Sequence, residues 1–217
     1  MQTKWILLVA LVVIAGAVIV LPLAAPGVTP AGIVRDGQAT AGDAFMMVNQ
    51  SGIALTLYND ALAANPGDPV LLKKKAEALI WSGQTADAQQ IYRQLLSLYP
   101  DDPQVLVRMG DFDYRNGDYT GAIAYYDSAL AVQPKNAQVL LRDGDACLML
   151  AATQYQQQHA VFLDSLDSYR KALDEYAQAE KLDPRLAVVV SARTLAADQY
   201  EADGDYQGLV AALGTSK

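Results

Sequence analysis

The 217-residue chain has one cysteine, Cys147, and one histidine, His159. A single cysteine excludes an internal disulfide and any paired Cys/His spacing that would hold zinc. Cys147 lies on an apolar helical stripe, where a thiol behaves as a small core residue. A histidine-based triad has one possible base, and no Ser or Cys stands near it in a motif; His159 reads as an exposed helix or tip residue. No glycine-rich phosphate loop is present, since Gly117-Asp118 and Gly204-Asp205 read as turns between helices. Basic residues are in the minority, and the net charge is −8. Lys4 is the only charge before Arg35, so the remainder holds 15 basic and 24 acidic residues. Phosphate binding needs a basic face, which argues against nucleic acid; the acidity serves solubility. These shortages point away from an enzyme and from any cofactor or metal.

What the chain does have is a period. Pro66, Pro100 and Pro134 stand 34 residues apart, each closing a similar helix. Within 103–136, Leu106, Met109, Gly110 and Tyr114 form one stripe, and Ala122, Tyr126, Ala129 and Leu130 form a second. Asn116-Gly117-Asp118 breaks the pattern between them. A small residue at Gly110, with Ala122 facing it, lets the two helix backbones approach closely. The marks recur at Leu72, Ala76, Gly83, Ala88, Tyr92, Leu95 and Pro100, and at Gly42, Phe45, Ala54, Tyr58, Ala61 and Pro66. A fourth set runs Leu140, Gly144, Ala172, Tyr176, Ala179 and Pro184. A fixed period in this range signals stacked helical hairpins.

With units starting at residues 35, 69, 103 and 137, the small residue falls at the eighth place, Ala at the twentieth, Tyr at the twenty-fourth and Pro at the thirty-second. On these residues the chain resembles the tetratricopeptide repeat family over about residues 35–186. The resemblance implies an all-α, right-handed solenoid of antiparallel helix pairs. The expected repeats are 35–68, 69–102, 103–136 and 137–186, with a degenerate cap over 187–217 in which Leu209, Val210 and Leu213 cover the last face. The fourth unit is 16 residues longer than the period and has no Pro or Gly between Ala146 and Asp183. Both of its helices are expected to be lengthened, projecting roughly 12 Å, with Gln154 to His159 near the tip.

Residues 1–4 form a stub, and residues 5–25 contain no charge. Trp5 to Leu21 alone would give a helix of about 25 Å, against a hydrocarbon thickness of roughly 30 Å. The expectation is a transmembrane helix, with a cleaved signal peptide as the alternative. The positive-inside rule then puts the repeats on the extracytoplasmic side of a single-pass membrane protein. Residues 26–34 read as a Pro/Gly linker. Asn49-Gln50-Ser51 forms a glycosylation sequon in the turn of the first repeat.

In proteins similar to this one, the first helix of each repeat lines a concave groove through places 2, 5, 6, 9, 12 and 13. Carried over, the partner-binding candidates are Lys73, Lys74 and Trp81, then Arg108 and Tyr114, then Arg142 and Met149. Lys74, Arg108 and Arg142 share one place in consecutive repeats and form a basic ladder. It suits an acidic segment with an apolar anchor, gripped by Trp81, Met47, Tyr114 or Met149. Each base also has an acid three residues on, Glu77, Asp111 and Asp145, so the ladder has the means to neutralise itself. Family members that grip chaperone tails use Asn at the ninth place, where this chain has acids, so that ligand is not expected. The function implied is a membrane-tethered protein-interaction adaptor. The alternative is a structural subunit of a membrane or envelope complex, packing through the hairpin at 150–165 or through the convex face.

Overall fold

The computed structural model describes residues 10–14, 17–21, 30–158, 162–203, 209, 212 and 213. The side chains of 10–14, 17–21, 30–35, 155–158, 162–166, 201 and 203 fall outside the description, as do residues 159–161 and with them His159. Two compact units make up the chain, Met1–Leu95 and Leu96–Lys217.

In the first unit, Ala10–Ile14 (β1) and Ala17–Leu21 (β2) pair as antiparallel strands, with Ala10 opposite Leu21 and Ile14 opposite Ala17. The transmembrane helix expected over 5–25 is therefore overturned. Among the described residues, no helix is long and apolar enough to cross a membrane, and the single-pass, extracytoplasmic location that rested on that span falls with it. The physical reason is in the residue types. Val12, Val13, Ile14, Val18, Ile19 and Val20 are β-branched and favour the pleated conformation, while hydropathy does not distinguish an apolar strand from an apolar helix. Residues 1–9 and 22–29 lie outside the described part. The expected linker is shorter at its far end, because α1 (Pro30–Met47) starts at Pro30, a residue whose fixed φ suits a first helical turn.

The rest of the first unit is helical, with α2 (Ser51–Ala64), α3 (Pro69–Trp81) and α4 (Thr85–Leu98, which ends in the second unit). The second unit continues with α5 (Pro103–Arg115), α6 (Tyr119–Val132), α7 (Ala137–Gln158) and α8 (Phe162–Leu182). A short 3-10 turn at Pro184–Leu186 leads into α9 (Ala187–Asp203). Past residue 30 the described residues are thus an all-α helical repeat.

The helix ends are written in short motifs. Asp68-Pro69 and Asp102-Pro103 open α3 and α5: each Asp carboxylate accepts from two backbone N–H groups of the first turn, and each Pro takes the first helical place. At the other end, Gly83 (φ +80°) and Gly117 (φ +81°) take the left-handed conformation that ends α3 and α5. The next residue's N–H returns to the helix, Gln84 to Leu79 at 2.8 Å and Asp118 to Asp113 at 2.9 Å. Asn49 does the same work after α1 at φ +59°, with Gln50 N donating to Phe45 O at 2.8 Å. In the fourth unit this place holds Ala151, which suits continued helix. α7 and α8 accordingly run to 22 and 21 residues, against 13 and 14 for α5 and α6.

The eighth-place glycines have a packing cause. A Cβ on Gly42, Gly110 or Gly144 would stand 2.5 or 2.6 Å from Cε1 of Tyr58, Tyr126 or Tyr176. The tyrosine ring lies flat on the partner helix where only hydrogen leaves room. Tyr58, Tyr126 and Tyr176 are each at most 2% exposed. In the second unit the core continues through α7 into α9, with Leu148, Val190, Ala197, Leu209 and Leu213 in one cluster. Leu209 and Leu213 are buried there, while Val210 lies outside the description.

Candidate functional site

The ninth-place acids organise the interior side of the first helices. Each accepts a hydrogen bond from the tyrosine of its own repeat. Tyr58 donates to Asp43 at 2.8 Å, Tyr92 to Glu77 at 2.6 Å, Tyr126 to Asp111 at 2.9 Å and Tyr176 to Asp145 at 2.8 Å. Burial, together with the neighbouring carboxylate, pushes the Tyr58, Tyr126 and Tyr176 hydroxyls above the usual phenol range, so they remain donors. The repeat that carries the longer Glu77 is the one with Ala76 in place of glycine.

Two of the same acids then take a base from the next repeat. Lys74 donates to Asp43 at 2.5 Å in the first unit, and Arg142 donates to Asp111 at 2.5 Å in the second, both across 31 residues of sequence. α9 repeats the arrangement at the end, where Arg193 donates twice to Asp145, at 2.5 and 2.9 Å. Tyrosine, acid and base together tie helix pair to helix pair. Of the acids three residues on, Asp111 takes the expected base, Arg108, at 3.2 Å. Lys74 and Arg142 reach backwards instead.

The predicted partner-binding residues therefore separate into classes. Trp81, at the end of α3, is 66% exposed. Lys73 and Lys74 are half-buried in the same unit, Lys74 bound to Asp43. In the second unit Arg108 and Arg142 are partly exposed, and both sit on the buried carboxylate of Asp111. Tyr114 packs edge-on against Tyr119, centroids 5.4 Å apart, with its hydroxyl buried. Met149 is the correction: at 2% exposure it belongs to the core. α9 is the reason, because Arg193 on Asp145 and the Tyr200 hydroxyl on the Ala152 carbonyl at 2.9 Å lay that helix over α7. Met47, at the end of α1, stands 89% exposed.

Sequence reasoning missed the tyrosine–acid ties, although the signal was present. A Tyr fifteen residues after an acid, repeated at the helical-hairpin period, marks two groups that face each other. It also missed Asp143, which is wholly buried on α7 beside Lys171. The candidate set contains no metal ligands, and among the described residues no group of three or more His, Cys, Asp and Glu side chains is placed to hold an ion.

Two family models match, both described as tetratricopeptide repeat, over residues 54–107 and 107–154. No curated protein matches the sequence. Among solved structures, a MamA fragment (residue 41 to the end) from Desulfovibrio magneticus RS-1 is 17% identical, with 85% of this chain and 92% of that one covered at a TM-score of 0.61. A MamA RS-1 ArsTM double mutant gives the same identity and score, with 85% and 93% covered. A further MamA crystal structure is 18% identical, with 80% and 91% covered and a TM-score of 0.56. Identities this low establish a likeness of fold. The repeated small residue, tyrosine and proline, the helical hairpins they build and the two family matches agree: this chain carries tetratricopeptide repeats.

Proposed function

We propose that the protein is an adaptor that binds other proteins, and that the first helices of its repeats present the binding surface. In the first unit this surface is Lys73, Lys74 and Trp81; in the second it is Arg108, Tyr114 and Arg142. The observation that carries the reading is the pair of half-exposed arginines at Asp111. One buried carboxylate faces two guanidinium groups, each partly exposed. Both are basic groups on the surface of an otherwise acidic chain. A partner segment bearing a carboxylate or acidic side chains suits their exposed edges, since guanidinium–carboxylate pairs are geometrically specific. In the first unit, the exposed Trp81 gives its own face an apolar anchor of the kind that dominates binding energy. Binding rather than catalysis is the mode of action, with neither cofactor nor nucleic acid in the reading.

The experiment is capture from a display library of acidic peptides with one aromatic or aliphatic anchor, using the full chain, Trp81→Ala and Arg142→Met. Loss of capture in both variants, with the helical circular dichroism retained, is the expected result. Capture at full strength by both would sink the reading.

The length of α7 and α8 supports a second reading. A hairpin of 22 and 21 residues, at a place where its neighbours in the unit use 13 and 14, suits a structural subunit that packs permanently through 150–165. Co-purification that survives Trp81→Ala and disappears when that hairpin is shortened would favour it.

A further inference from the structure

The fourth helical hairpin holds a second charged cluster, apart from the binding surface. Lys171 of α8 places Nζ 3.0 Å from Asp127 Oδ1 of α6 and 2.9 Å from Asp143 Oδ2 of α7. Asp143 is wholly buried. One turn along α7, the Cys147 thiol points at the other Asp143 oxygen, 3.9 Å away. One turn along α8, Glu175 sends Oε2 into the interior, where no hydrogen-bond donor meets it among the described residues. Two carboxylates thus hold one ammonium group, and a third stands one turn along the same helix. Lys171 is committed to the two, and Glu175 feels its charge without an ion pair to it.

The remaining charges nearby are accounted for. Asp127 faces the cluster from α6, Asp143 and Cys147 from α7, and Asp174 and Lys171 lie beside Glu175 on α8. On α9, Arg193 is engaged by Asp145 and Asp198 by Tyr169. Around the 3-10 turn, Asp183 and Arg185 pair with each other. Burial works against the Lys171 charge, but the Asp143 hydrogen bond and charge outweigh it, so this ammonium stays protonated. Burial, then the Asp143 charge, pushes the Cys147 thiol up to about 12, which removes it as a competing titration near neutrality. A half-buried carboxyl with one oxygen shut away from any donor is held more cheaply as the neutral acid, and the Lys171 charge offsets this only in part.

The geometry points to a proton-operated latch on the fourth hairpin: a proton on Glu175 keeps α6, α7 and α8 clamped around Lys171, and its release adds a third negative charge that loosens the clamp. Burial, followed by the Asp143 charge, pushes the Glu175 carboxyl from 4.5 to about 7. Between those values the folded chain binds more protons than the unfolded one, so stability falls as pH rises through the window. The latch differs from the arginine pair at Asp111 in that no partner is needed to operate it.

The test uses the full chain and Glu175→Gln, which imitates the protonated state. Urea midpoints at pH 5.5 and pH 8 should fall for the wild type, with a smaller fall in the variant. At pH 8 the variant should be the more stable of the two. Carboxyl carbon NMR should show Glu175 titrating near neutrality in the wild type. Amide exchange along α8 should quicken at pH 8 beyond the chemical rate increase, in the wild type alone. A Glu175 that titrates in the ordinary glutamate range, or a variant with the wild-type pH dependence, overturns the latch.

Discussion

The same tie is built at very different depths in the two units. In the first unit, Tyr58, Asp43 and Lys74 meet where the Asp43 and Lys74 side chains keep 45% and 33% of their surface. In the second, Tyr176, Asp145 and Arg193 meet with the acid and base at 12% and 15%. The exposed version uses a lysine, a hydrated point charge, and makes one ion-pair bond. The buried version uses an arginine whose planar fork makes two. Water already solvates the first pair, so its net contribution is small. The second pair has left water, and each partner depends on the other for its solvation. One arrangement of residue types is thus a surface accessory in the first unit and a structural commitment in the second.

Breaking the buried tie is the sharpest way to separate the two. Asp145→Ala leaves Arg193 and the Tyr176 hydroxyl without their acceptor, and should cost about 3–5 kcal/mol by urea denaturation. Asp43→Ala, at the equivalent place, should cost about 1 kcal/mol or less. Equal losses would remove the distinction. Next in size, Gly144→Ala puts a Cβ 2.6 Å from Tyr176 Cε1 and 3.2 Å from the Ala172 carbonyl oxygen. Neither the fully buried ring nor the backbone can yield, so overpacking should cost about 1–3 kcal/mol in thermal or urea melts. In the first unit, Asn49→Gly relieves a left-handed conformation that glycine holds without steric cost, and should raise stability by about 0.5 kcal/mol. Smallest in stability is Trp81→Ala, within about 0.5 kcal/mol for so exposed a side chain. Its effect should show in peptide capture instead.

The parts of this fold that were legible in the sequence are those in which a residue type has one physical use. Gly at the eighth place, Tyr at the twenty-fourth and Gly at the turn each answer one local requirement, and the 34-residue period repeats it. The absence of a stop at Ala151 likewise announced the long hairpin. The opening segment was misread because apolarity has two outcomes. Its Val and Ile runs meet the demand for an uncharged stretch equally well as strand or helix, and the structure takes the strand pair. Met149 was misplaced for another reason. Its position on α7 follows from the repeat, but its burial depends on α9, whose marks are weak. The direction in which Lys74 and Arg142 reach is a tertiary property, decided by the acid of the preceding repeat.

The tie also has a polarity. Each repeat with the full pattern carries an acceptor half at its ninth place and a donor half at its sixth, like a railway coupling with a hook at one end and a ring at the other. A duplication that copies a whole unit copies both halves in register, so an array can lengthen without inventing an interaction. A duplication of half a unit separates them. The 16 extra residues of the fourth unit respect this rule, since they fall between the acid of Asp145 and the tyrosine of Tyr176 and leave the hydrogen bond between them intact.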